Sequence, residues 1–163
     1  MLEVVCNTMV KLISSIIPLI LICSIAQSQK AQPSKQINPT GIYELKGQQK
    51  GKEIYGYFGN VKVKQLTNSK IVVLFYICRG YKNYNSGSFY DTLVYNNNKA
   101  IYRTPEFDSS CNILLTFSPT GVSVEENTAN VNNGCGFGFG VVADAFFKRK
   151  SKRVPTNKEL SEE

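Results

Sequence analysis

Residues 71–78 read Ile-Val-Val-Leu-Phe-Tyr-Ile-Cys. Both alternating faces of this run are apolar, and its β-branched and aromatic side chains suit a pleated strand. A strand that is apolar on both faces is expected to be covered on both sides. Upstream, Val61-Lys62-Val63-Lys64 alternates with period two, with Val toward a core and Lys toward water. The run from Ile54 to Leu66 is interrupted by Gly56, Gly59 and Asn60. It reads as one bent strand with a bulge at Gly59-Asn60, or as two strands. Gly41 to Leu45 is the first strand. Downstream, Phe89 to Tyr95 and Lys99 to Thr104 flank an Asn96-Asn97-Asn98 turn. Asn112 to Phe117 and Val122 to Glu125 flank Ser118-Pro119-Thr120-Gly121, and Val141 to Lys148 is the closing strand. About eight short strands, with turn chemistry roughly every ten residues, predict an all-β fold: antiparallel strands forming a small barrel or sandwich.

The chain has 163 residues, 19 Lys and Arg, 12 Asp and Glu, five Cys, no His and no Trp, for a net charge of +7. Without histidine there is no Ser-His-Asp triad, no Cys-His pair and no His-containing zinc site. A non-catalytic protein without cofactor or metal ligands is therefore expected. Residues 12–23 form an apolar run with the length of a signal-peptide core, and Ser24-Ile25-Ala26 supplies small residues for cleavage. Met9-Val10-Lys11 offers an alternative start with a more ordinary basic lead-in. Cys23 follows Ile22, not the small residue a lipidation signal requires, so simple export to the periplasm or the extracellular space is the preferred reading. The expected organisation is a signal peptide over 1–26, a flexible segment over 27–40, a β-domain over 41–149 and a charged, disordered tail over 150–163.

Cleavage leaves Cys78, Cys111 and Cys135. An exported compartment permits one bridge and one leftover thiol. Cys111–Cys135 is the preferred pair, because both lie at element boundaries beside Gly, Ser and Asn. Cys78 ends an apolar strand and reads as a buried thiol, though its pairing with either of the others stays open.

Two constellations invite functional readings. Tyr76, Tyr81, Tyr84, Tyr90, Tyr95 and Tyr102 interleave with Arg79, Lys82, Lys99 and Arg103. Protein-binding surfaces are built this way, and so are single-stranded nucleic-acid grooves. An exported domain meets nucleic acid rarely, so no nucleic-acid partner is expected. The candidate partner-binding residues are Arg79, Tyr81, Lys82, Tyr84, Asn85 and Ser86. The second constellation is Lys148, Arg149, Lys150, Lys152 and Arg153, a basic cluster able to contact an anionic surface. Gly134-Cys135-Gly136-Phe137-Gly138-Phe139-Gly140 has the glycine count of a phosphate loop, but a strand-like run follows it where a phosphate loop needs a helix. Gly136, Gly138, Gly140 and Asp144 are accordingly read as structural turn residues. Asp144 shares a face with Val142 and Phe146 and is expected to point inward.

Three segments together carry a resemblance: Asn83-Tyr84-Asn85-Ser86-Gly87-Ser88-Phe89, Ser110-Cys111-Asn112-Ile113-Leu114-Leu115-Thr116-Phe117, and Cys135-Gly136-Phe137-Gly138 leading to Ala143-Asp144-Ala145. They resemble small exported β-rich proteins of Bacteroidetes-type bacteria and the C-terminal β-domain of lysozyme-inhibitor-like periplasmic proteins. Ala145 replaces a usual Gly, and Phe147 stands where Tyr is usual. Gly41-x-Tyr43 with Lys148 and Arg149 is similar to the closure of calycin barrels. The resemblance implies a binding or inhibitor domain for an envelope or extracellular protein, with no catalytic residue. A calycin-like carrier of a small apolar ligand is the alternative, and it requires an unfilled interior. Lysozyme inhibition is the sharpest version, but the +7 charge would repel a basic lysozyme on encounter.

Overall fold

The computed structural model describes residues 35–130 and 134–161; the expected signal peptide, its cleavage site and residues 27–34 lie outside them. In chain order the elements are β1 (Gly41–Leu45), β2 (Gln48–Lys50), β3 (Glu53–Tyr55), β4 (Phe58–Thr67), β5 (Lys70–Cys78), β6 (Ser86–Asn96), β7 (Lys99–Thr104), β8 (Asp108–Phe117), β9 (Gly121–Asn127), a 3-10 turn (Gly134–Gly136), β10 (Ala145–Ser151) and the short helix α1 (Asn157–Ser161). Eight strands close into an antiparallel barrel in the order β1-β10-β9-β8-β7-β6-β5-β4, and β2 and β3 form a separate hairpin. Closure falls on β1, where Tyr43 pairs with Val61 of β4 and with Arg149 of β10.

Period two dictates what fills the barrel. Ile71, Val73, Phe75 and Ile77 of β5 point inward and are fully buried. Val61, Val63, Ile113, Leu115, Val122 and Phe147 do the same from their own strands. Phe75 sits at the centre, with ring centroids 5.1 Å from Phe89, 6.0 Å from Phe137 and 5.6 Å from Phe147. Burial of each such side chain contributes about 1.5–3 kcal/mol. The outward residues of β5, Val72 and Leu74, are also buried, because Leu160 of α1 packs on them. The expected two-sided cover of this strand is therefore met by the barrel interior on one face and by the C-terminal helix on the other.

The run from Ile54 to Leu66 is two strands, the second of the two readings left open, whereas other boundaries differ: β6 starts at Ser86 and β8 at Asp108, both earlier than expected. Gly59 and Asn60 stay in register opposite Ile77 and Tyr76, and the irregularity falls between Gln65 and Thr67. Gly59 serves close approach: a Cβ there would lie 2.1 Å from the Tyr76 carbonyl oxygen. The closing strand starts at Ala145, because side chains take the preceding amides: Val142 N–H donates to the Tyr57 hydroxyl and Ala143 N–H to the Glu126 carboxylate. The face shared by Val142, Asp144 and Phe146 is the outer one; Val141, Ala143 and Phe147 are the buried set.

Two further differences are at the termini. Over its described residues, 150–161, the tail expected to be disordered is ordered. A reciprocal cap starts α1: Thr156 N–H donates to Glu159 Oε2 (2.9 Å) and Glu159 N–H to Thr156 Oγ1 (3.2 Å). Arg153 grips the same carboxylate through both guanidinium ends. Of the segment expected to be flexible, residues 35–40 lie against the barrel end. Tyr95 OH donates to Ile37 O (2.8 Å), Tyr43 OH to Pro39 O (2.6 Å), and Ile37 N–H to Asn98 Oδ1 (2.8 Å).

Candidate functional site

An antiparallel barrel of this order sends alternate connections to opposite ends. Residues 68–69, 97–98 and 118–120 make three tight turns at one end, where residues 35–40 also lie. Residues 46–57, 79–85, 105–107 and 128–144 connect strands at the other, and three of these four connections are long. The tight end follows directly from local chemistry. Asn97 and Asn98 both have positive φ (49° and 63°), as a two-residue hairpin loop requires.

The β6–β7 ladder has only two pairs, Tyr95 with Ala100 and Asn96 with Lys99, both beside the 97–98 turn, so the seam is open toward the long-loop end. Aromatic rings fill the seam beyond them. Phe89 of β6 stacks on Tyr102 of β7 with centroids 3.8 Å apart. Phe137 from the glycine-rich segment enters beside them, also stacked on Phe75. Gly87 makes room: a Cβ there would lie 2.3 Å from the Phe137 ring. The Cys111–Cys135 disulfide joins β8 to this segment, and Cys78 is a buried free thiol. Gly136 and Gly140 have positive φ (74° and 69°), and Gly138 N–H donates to Ser86 O (2.9 Å). Asp144 accepts from Glu126 N–H (2.6 Å) while Glu126 accepts from Ala143 N–H (2.7 Å), a reciprocal clasp across the base of the segment. Burial pushes the Glu126 carboxyl up, with Asp144 and Asp108 adding to it. The four residues read as structural turn elements thus hold the barrel plug, although Asp144 does so from the exposed side.

The six candidate partner-binding residues occupy the neighbouring loop, and the structure gathers them with two other segments. Tyr81 packs on Tyr55 of the hairpin with centroids 4.9 Å apart, and its N–H donates to Ile54 O (2.7 Å). Tyr84, at φ 51°, donates its hydroxyl to Glu53 Oε2 (2.5 Å) and accepts from Ile54 N–H (3.2 Å). The Glu53 carboxylate holds that phenol above its ordinary range. Asn85 closes the loop on itself, accepting from Arg79 N–H (2.9 Å), and its side chain donates to Phe139 O (2.8 Å). Arg79 lies against Gly140, where a Cβ would come within 2.7 Å of its Nη1. Lys82 and Arg79 border a small cleft of about 210 Å3. Ser86 opens β6.

Four rim residues escaped the sequence reading. Tyr55 carries Lys50 over its ring (5.0 Å), and Phe139 and Phe107 are 61% and 81% exposed. A signal for the last two exists in the sequence, since each is a large aromatic inside a glycine-rich or polar loop, outside any alternating strand. The rim connections are therefore aromatic and carry a modest excess of cations: Lys46, Lys50, Lys52, Arg79 and Lys82 against Glu53, Glu106 and Asp144, with the Glu53 carboxylate taken by Tyr84.

The basic cluster of β10 is not one patch. Lys148 and Lys150 are exposed on the outer wall, where Lys150 lies 3.7 Å from Glu44. Arg153 is spent on Glu159. Arg149 points into the tight end, its guanidinium 5.0 Å above the Tyr43 ring and bonded to the Tyr43 hydroxyl and to Asn38 O.

Fold and site define the class: a closed eight-stranded antiparallel barrel with a filled interior and one loop-bearing rim. Comparison of the chain with protein-family models, curated proteins and solved structures returns no match.

Proposed function

We propose that this chain is an exported, non-catalytic binding domain whose partner, an envelope or extracellular protein, docks on the long-loop rim. The observation that carries this reading is the convergence of Tyr55, Tyr81, Tyr84 and Phe139 with Arg79 and Lys82 on cross-tied loops at one end of a rigid barrel. Binding surfaces are rich in Tyr, Phe and Arg, and loops on a fixed scaffold are where they are built. The excess of cations fits a partner surface that is acidic. An inhibitor would act by pushing the Arg79–Ser86 loop into a partner's cleft.

The carrier alternative needs an open interior. Tyr43, Phe75, Tyr95 and Phe147, each no more than 1% exposed, occupy that space, which counts against it.

The test is paired capture from envelope extracts with immobilised domain and with a Tyr81→Ser/Lys82→Glu variant, followed by titration of the isolated partner. One protein that is held by the first and released by the second supports the reading. Equal retention by both contradicts it. Lysozyme activity unchanged in excess domain removes the inhibitor version aimed at that enzyme.

A further inference from the structure

The tight end holds a second feature, independent of the rim. An open cleft of about 860 Å3 lies between residues 35–40, the β4–β5 turn and the chain leaving β10. That size is within the range of small-molecule sites. Its charged lining residues are Lys35, Arg149 and Lys152, with no acid among them. Arg149 is the fixed member. The Tyr43 ring, the Tyr43 hydroxyl and Asn38 O hold its guanidinium in place. Its Nε is shut away from solvent with no acceptor. Among the described residues no carboxylate forms an ion pair with it. A half-buried cation without a counter-charge is costly, and an anion in the cleft would offset that cost. The remaining wall includes Ile37, Leu66, Pro119 and Val154, of which Leu66 and Val154 are 49% and 57% exposed.

We infer that this cleft binds a small amphiphilic anion: a carboxylate or phosphate group against Arg149 and Lys152, with an apolar body along Leu66 and Val154. Rigid placement of the guanidinium favours an oxyanion, because its planar fork matches two oxygens at once. The ammonium of Lys152, exposed at the rim of the cleft, adds attraction without fixing geometry.

The experiment titrates the full domain with decanoate, decyl phosphate, inorganic phosphate and decanol, below any micelle-forming concentration, followed by calorimetry and amide chemical shifts. The expected result is saturable binding of decanoate or decyl phosphate, with shifts at Gln65 to Asn68 and Lys152. Decanol and inorganic phosphate, each with half of the required chemistry, bind more weakly. The tighter of the two amphiphiles identifies the anion. Arg149 also supports the barrel end, so the diagnostic variant is Lys152→Glu, whose side chain is exposed. It should weaken the anions at least about tenfold with an unchanged unfolding midpoint, since reversing a charge at contact range is worth a decade or more. Decanol binding as tightly as decanoate, unchanged affinity in Lys152→Glu, or binding only to phosphatidylglycerol vesicles would each overturn the inference.

Discussion

The two ends of this barrel solve the same closure problem differently. At the tight end, hydrogen bonds do the work: Tyr43, Tyr95 and Arg149 reach the backbone of residues 37–39 from inside. At the long-loop end, an aromatic plug does it: Phe137 stacks on Phe75, which also stacks on Phe89 of the Phe89–Tyr102 pair, and one disulfide and one carboxylate clasp hold its segment. Closing an end with backbone hydrogen bonds ties up the chain that closes it. Closing the other with a pinned plug leaves the surrounding loops free to carry exposed Tyr81, Tyr84 and Phe139. The exposed loop aromatics are therefore concentrated at one end.

The comparison can be broken most severely at the plug. Phe137→Ala should cost roughly 3–5 kcal/mol in denaturant unfolding, because its buried ring leaves a cavity among other rings. Replacing both Cys111 and Cys135 by Ser should cost about 3.5 kcal/mol, the chain-entropy value for the loop closed by their 24-residue separation. Faster amide exchange should be confined to residues 134–144. At the tight end, Tyr95→Phe loses the bonds to Ile37 O and Asn98 Oδ1 and should cost about 1 kcal/mol. The same variant sharpens the pH response. Burial pushes the Tyr95 phenol up to about 12. The folded state thus favours the neutral phenol, and its contribution is complete below the ordinary value of about 10 and lost as pH rises toward about 12. Tyr95→Phe should flatten the fall in stability over that window. The smallest effect is at the C-terminal cover: Thr156→Ala removes one cap of α1 and should cost about 0.5–1 kcal/mol, visible as earlier exposure of Leu160. Arg153 and the Thr156 amide hold the Glu159 carboxyl below the usual carboxylate range. This contribution is present above that range and disappears as pH falls, so α1 should loosen in acid before the barrel does.

What could be read from the sequence was whatever two-residue periodicity or turn chemistry encodes. Residues 71–78 specify a doubly covered strand, and Asn97-Asn98 a hairpin loop, because each depends only on local side chains. The pairing of Cys111 with Cys135 was the one preferred from their Gly, Ser and Asn neighbours, although Cys111 lies within β8 and Cys135 in the 3-10 turn. The plug was not, since Phe137 among glycines has no period, and its inward course is set by Gly87 on a strand far away in sequence. Residues 35–40 look like linker because their role lies in backbone carbonyls, which sequence does not distinguish. Thr156-x-x-Glu159 did carry a helix-start signal, but a five-residue helix with one apolar contact is too short for periodicity to show. The basic cluster misled as a unit, because alternation along β10 sends Arg149 inward and Lys148 and Lys150 outward. Of the candidate site, the Arg79–Ser86 loop was legible, whereas its hairpin partner Tyr55 depends on tertiary contact alone.

The central claim, that a protein partner engages the long-loop end, is tested most directly by site-specific photo-crosslinking in the native cells. A benzophenone amino acid is placed at Tyr81 on the rim and, separately, at Asn97 on the tight end. The account expects one discrete protein adduct from position 81 and none from position 97. The same adduct from position 97, with none from position 81, would contradict it.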